Sequence, residues 1–127
     1  MTEQRHPDIE IYVKDRSIEQ IEQWLDAIGD SLQKSVDQGL VHEYRLEING
    51  SRVPVMIHEK VAGKAWFSVW FKQNPTDWPQ DLDCAKAASE AMATQIRCIA
   101  GGWNDGDEPD EYWKVENGQQ EKIVWRT

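Results

Sequence analysis

The segment Lys64-Ala-Trp-Phe-Ser-Val-Trp-Phe-Lys72 constrains the fold more than any other stretch of the chain. Its aromatic and β-branched content marks a strand, and the period of two along a strand sends Trp66 and Trp70 to one side and Phe67, Val69 and Phe71 to the other. A strand with large apolar side chains on both faces needs cover on both. Helices packed on one face supply one cover; the other must come from elsewhere in the chain or from another molecule. The chain holds seven tryptophans, more than a core beneath two helices obviously needs. The open side of this strand is therefore the main functional clue.

Around that strand the remaining elements follow from periodicity and turn chemistry. Ile9, Ile11 and Val13 alternate with polar neighbours and predict a first strand over residues 8–15. Ser17 followed by Gln20 is a capping-box pattern, and behind it Ile18, Ile21, Leu25, Ile28, Leu32 and Val36 recur at helical spacing until Gly39. Next, Asn49-Gly50 separates two alternating segments, residues 40–48 and 51–59, the strongest short-range hairpin signal. A two-residue turn pairs Ile48 with Ser51. That register gathers Leu40, Tyr44, Leu46, Ile48, Val53, Val55 and Ile57 on one face and sets Glu47 opposite Arg52. Glu43, Arg45, Met56 and His58 fall on the other face.

After the aromatic strand, Asn74-Pro75 and Trp78-Pro79 mark a rigid loop. Asp81 or Asp83 is placed to cap a second helix running to about Ala100, with Leu82, Ala85, Ala88, Met92, Ile96 and Ile99 inward and Gly101-Gly102 as its stop. An acidic loop then leads to a second hairpin about Asn117-Gly118. A two-residue turn there splits Trp113 and Val115 from Ile123 and Trp125. A three-residue turn with a bulged Gly118 puts all four on one face, and is preferred because it segregates the apolar side chains.

The expected fold class is thus α+β in the order β-α-β-β-β-α-β-β, with two helices on one face of a largely antiparallel sheet. Residues 1–7 form an N-terminal arm and 8–127 a single domain, as a chain of 127 residues should. From the first helix onward, over roughly residues 17–126, this element order resembles that of the type III secretion chaperones. Those are small acidic proteins with a helix, three strands, a helix and two strands. The resemblance implies dimerisation and the binding of extended client segments. The family's closing helix is absent here, and a leading strand is present.

Charge narrows the partners. A formal net charge of −9 opposes nucleic-acid backbones and anionic membranes and favours solubility or a basic partner. The residues near the hairpin and aromatic strand depart from that balance, since positions 40–72 carry five Lys/Arg against three Glu. No run of residues approaches the roughly 20 apolar positions that a membrane helix needs, and the N-terminus has no signal-like apolar stretch, so a cytoplasmic protein is expected. Cys84 and Cys98 both fall in the expected second helix, about 21 Å apart along it, too far for a mutual disulfide and read as reduced, half-buried thiols.

Candidate sites are few. Met56, Trp66 and Trp70 form a possible contact patch on the open sheet face, joined by Trp113 and Trp125 of the last hairpin. The alternative is that the hairpin or the Trp78 loop folds over them. The loop carrying Asp105, Asp107, Glu108, Asp110 and Glu111 lacks the spacing of a calcium loop and reads as solvated or as a contact for a basic partner. His6, His42 and His58 are too scattered for a metal set or a triad, and no nucleophile, metal or nucleotide motif is present, so neither an enzyme nor a cofactor is expected. The leading expectation is a small acidic protein-interaction module, a homodimer contacting itself or another protein through the aromatic face. The alternative is an acidic inhibitor or immunity-type protein that blocks a basic site through the 105–111 loop.

Overall fold

The computed structural model describes residues 8–61, 65–99 and 111–125. The described chain runs β1 (Ile9–Lys14), α1 (Ile18–Ile28), β2 (Ser31–Gln38), β3 (Val41–Ile48), β4 (Ser51–Glu59), β5 (Trp66–Phe71), α2 (Asp81–Met92), β6 (Ile96–Ile99), β7 (Glu111–Glu116) and β8 (Gln119–Val124). The strands form one eight-stranded sheet in the order β2-β3-β4-β5-β1-β6-β7-β8, and every neighbouring pair is antiparallel. The fold is α+β, with β1 inside the sheet between β5 and β6.

Pairing sets the two faces. Ile9, Ile11 and Val13 stand opposite Phe71, Val69 and Phe67, and β4 continues that side with Val55 and Ile57. These side chains form the core together with Ile21, Trp24 and Leu25 of α1 and Cys84, Ala85, Ala88 and Met92 of α2. Ala85 and Ala88 of α2, expected on its inward line, are fully buried in this core. The hairpin about Asn49-Gly50 has the expected register, with Ile48 opposite Ser51 and Glu47 opposite Arg52. Both turn residues have positive φ, as a two-residue turn matched to strand twist requires. Leu40, assigned to the buried side from alternation, instead occupies the β2–β3 turn and is exposed.

Both helices end earlier than their periodicity suggested, and each missing stretch is a strand. The first helix stops at Ile28. The Gly29 N–H still bonds the Leu25 carbonyl, but the Asp30 N–H donates to Glu47 of β3 at 2.7 Å and opens the β2–β3 ladder. Leu32 and Val36, read as helical positions, belong to β2, and Gly39, read as a helix stop, opens the β2–β3 turn with φ +61°. Glu22 of α1 locks the arrangement by accepting from Tyr44 at 2.6 Å and pairing with Lys34 at 2.9 Å. Partial burial works to raise its pKa, yet these two partners outweigh it and hold the carboxyl below its ordinary value.

The second helix ends at Met92, where Ala93 turns left-handed, and Ile96 and Ile99 pass into β6. Its N-cap is Gln80, neither Asp81 nor Asp83. The side chain of Asp83 reaches back to the Gln80 N–H at 3.1 Å. Cys84 therefore lies on a helix and Cys98 on a strand; both are free and buried. Burial, reinforced by Asp81, pushes both thiols well above their usual range.

What caps the end of α2 is a side chain from the short link between β1 and α1. Arg16 donates through Nε to the Met92 carbonyl at 2.9 Å and through Nη2 to the Ala93 carbonyl at 2.7 Å, satisfying acceptors that a helix end leaves open. Arg16→Ala is expected to cost about 1–2 kcal/mol in urea unfolding, because two charge-assisted bonds at a partly exposed helix end are lost. Arg16→Lys should recover less than half of that, since an ammonium lacks the forked pair of donors. Full recovery by lysine would reduce the role to simple charge at the helix terminus.

Candidate interaction surface on the open sheet face

Alternation that sends Ile9, Ile11 and Val13 to the helices sends Glu10, Tyr12 and Lys14 to the opposite face. Cross-strand pairing adds Met56 and His58 from β4, Trp66, Ser68 and Trp70 from β5, Arg97 from β6 and Tyr112 from β7. Trp125, just beyond β8, completes an aromatic cluster there. Its ring lies 4.8 Å from Trp66, 5.3 Å from Tyr12 and 5.2 Å from Tyr112, the two tyrosines being edge-on to it at 90° and 75°. Tyr12 and Tyr112 meet edge-on at 6.0 Å. These are the offset geometries that the ring quadrupole favours.

Arg97 sets its guanidinium against two indoles that already touch each other, 4.6 Å from the centroids of both Trp66 and Trp125. Gln95 steadies it by accepting from Nε at 2.8 Å. Burial lowers the Arg97 pKa, while nearby Glu116 acts the other way. Beside the cluster, Glu10 accepts from the hydroxyls of Tyr12 at 3.2 Å and Ser68 at 3.0 Å. The Tyr12 phenol is held far above its ordinary pKa, first by burial and then by the charge of Glu10 and the presence of Tyr112, so it remains a neutral donor. Between these groups opens a recess of about 220 Å³, whose lining includes Glu10, Tyr12, His58, Ser68, Tyr112 and Trp125.

The other half of the patch centres on Trp70, opposite both Glu10 and Met56 in the sheet. Its indole N–H donates to Asp8 at 2.8 Å, and Lys72 sits 5.3 Å from its ring centre while reaching toward Glu43 at 3.9 Å. Met56 and Trp70 remain half-exposed, whereas Trp66 retains only 7 % of its surface.

Met56, Trp66 and Trp70 thus share one face, as alternation predicted, and Trp125 joins them. Trp113 does not. The last hairpin takes the two-residue turn, with Glu116 opposite Gln119 and Trp113 opposite Lys122, rather than the bulged register preferred from the sequence. Asn117 and Gly118 both have positive φ, the same turn chemistry as Asn49-Gly50. Trp113 and Val115 therefore face the helix side, where Lys122 covers Trp113 at 5.3 Å, and Ile123 and Trp125 face the open side. Segregation onto one face was the wrong criterion, because this sheet has apolar ground on both. The Trp78 loop likewise covers the helix face, stacking on Trp24, and it is Trp125 that folds over Trp66. Asp105, Asp107 and Asp110 lie outside the described residues.

Sequence reasoning missed Glu10, Tyr12, Arg97 and Tyr112. Tyr12 was recoverable, since an aromatic residue on the polar side of an alternating strand is itself a signal. Arg97 was not, because it lay within an expected helix. On the open face, Lys14, Arg45, Arg52, Lys72, Arg97 and Lys114 are offset by Glu10, Glu43, Glu47, Glu116 and Glu121, so the acidity of the chain is not concentrated here.

A larger cleft of about 540 Å³ opens between α2 and the β7–β8 hairpin. It is lined mainly by solvent-facing groups such as Lys86, Glu90, Asn117 and Gln120, without the converging rings of the open face. Among the described residues, no group of three or more His, Cys, Asp or Glu could hold a metal ion, and no helix is long and apolar enough to cross a membrane. No family model, curated protein or solved structure matches the chain.

Proposed function

We propose that this chain is a protein-interaction module whose contact surface is the open face of the sheet, and that a second copy is its simplest occupant. One observation carries the reading: among the described residues, both helices cover the same side of an eight-stranded sheet, while the other side holds a preorganised aromatic cluster flanked by the half-exposed Met56 and Trp70. Rigid aromatic side chains with polar tips concentrate in the anchors of protein contacts. Near charge balance lets two such faces meet without the repulsion that a uniformly acidic surface would impose. Face-to-face packing of two sheets would make a two-fold symmetric, self-complementary contact. A chaperone or adaptor role would use the same surface for an extended client.

Size-exclusion chromatography with light scattering tests this across protein concentration and salt. The expected result is a dimer near twice the 14.7 kDa chain mass, little affected by salt because the contact is mainly apolar. Trp70→Ala and Met56→Lys should each weaken it by about 2 kcal/mol, roughly 30-fold in dissociation constant, with the far-UV spectrum preserved. A dimer indifferent to both substitutions uses another surface and ends the reading. A monomer at every concentration removes the second copy as occupant, and the same substitutions must then abolish capture of a foreign protein.

A further inference from the structure

Three orthogonal rings and a carboxylate around one small recess form a recognisable chemical arrangement. Tyr12, Tyr112 and Trp125 meet pairwise edge-on within 6.0 Å, so their faces cannot all stack on one another, and each ring helps wall the recess they line. Ring faces carry the negative end of the quadrupole. Glu10, on the same wall, accepts two hydroxyl hydrogens, while an ionised carboxylate offers about four lone-pair sites, leaving acceptor capacity for a ligand. The neutral Tyr12 phenol adds no charge of its own. Next to the recess the chain already holds a cation against aromatic rings, with Arg97 resting over both Trp66 and Trp125.

From this geometry we infer that the recess receives the ammonium group of a lysine side chain carried by the protein docked on the open face. The inference rests on the reading of that face as a protein contact surface, and it names the chemistry of the partner's anchor. A lysine has a long apolar stem to lie along the rings and a compact ammonium whose donors match the remaining acceptors of Glu10. The recess of about 220 Å³ suits one side chain rather than a folded element. The overall charge of −9 draws a basic group toward the molecule at long range, and the aromatic cage supplies the local selection.

The test is an NMR titration of isotopically labelled protein with acetyl-Gly-Lys-Gly-amide, its Nε-acetylated form, and choline. It is run on the wild type if that is monomeric and on Trp70→Ala if it dimerises, a change that adds no ammonium to the face. The lysine peptide should shift the Trp125 indole N–H and the Tyr12 and Tyr112 ring signals saturably, with a dissociation constant on the order of millimolar. Acetylation removes the charge and should weaken binding at least roughly tenfold. Glu10→Gln keeps one acceptor oxygen and turns the other into an amide donor, to which the Ser68 hydroxyl can switch to accept, and should weaken the lysine peptide by about tenfold with the fold intact.

Equal binding of the acetylated peptide would make the recess an apolar slot and overturn the proposal. Binding of choline alone would assign it to a free alkylammonium ligand and overturn the lysine assignment. No saturable shift at all would also overturn it, and a dimer sensitive to Trp70→Ala would still leave the face reading standing. Conversely, lysine binding in a protein whose association ignores Met56 and Trp70 would leave the recess and remove the broader contact surface.

Discussion

Trp24→Ala should remove about 4 kcal/mol from the stability of the folded chain, read as a lowered urea midpoint with an unchanged slope. Trp24 is 6 % exposed. Its ring stacks on Trp78 at 5.9 Å and 17° and meets Phe71 edge-on at 6.2 Å and 87°, while Phe71 and Trp78 meet at 6.2 Å and 79°. The three rings join α1, β5 and the loop before α2, so truncation leaves a cavity bounded by elements that cannot all move inward together. For a domain of ordinary stability, some 5–15 kcal/mol, that loss is a large fraction of the whole. Trp24→Phe should return about half of it by refilling part of the volume. Hydrogen exchange around Trp78 should also rise, because the loop loses its stacking partner. A loss below about 1 kcal/mol would mean that the ring is not part of the core.

The same variant separates the two faces of the sheet. Trp24 lies on the helix side and the Tyr12–Trp125 cluster on the other, so a folded Trp24→Ala protein should keep the aromatic signals of the open face. This division was partly legible in the sequence. The alternation of Trp66 and Trp70 against Phe67, Val69 and Phe71 announced a strand apolar on both sides, and Asn49-Gly50 fixed one hairpin and its register. The same dipeptide rule, applied without preference at Asn117-Gly118, would have placed Trp113 and Trp125 correctly as well. It was set aside because apolar residues were expected to collect on one face, an expectation that the aromatic strand had already contradicted.

The two unforeseen strands were hidden for a different reason. Leu32, Val36, Ile96 and Ile99 continue the helical spacing of the residues before them, and short apolar runs serve a strand as readily as a helix turn. Their fate is decided by distant partners: Arg16 capping α2, Thr94 donating to the Lys14 carbonyl at 2.6 Å, and Asp30 pairing with Glu47. None of these leaves a local mark. Arg97 enters the candidate site only because α2 ends where it does, so the most informative charge on the open face depends on a helix stop set by tertiary contacts.

Gly29→Ala should destabilise the protein by roughly 2–3 kcal/mol, although helix propensity alone would predict the opposite sign by about 1 kcal/mol. The conformation at Gly29 is extended, with φ −115° and ψ −176°, and accessible to alanine, so backbone strain is not the cause. The cause is space. An added Cβ would lie 2.5 Å from Leu46 Cδ1 and 2.6 Å from the Glu47 carbonyl oxygen. The leucine methyl can rotate, but the carbonyl accepts the Asp30 N–H that starts the β2–β3 ladder and cannot withdraw without weakening it. The substitution therefore acts on the competition that misled the helical reading, raising the helical tendency of residues 29–36 while loosening the strand they form. Urea unfolding should show the loss, and hydrogen exchange should place it first in β2. A stabilised Gly29→Ala protein with full protection of β2 would mean that the contact at Glu47 relaxes freely, and the helix stop would then have to lie in Asp30 and the residues beyond it.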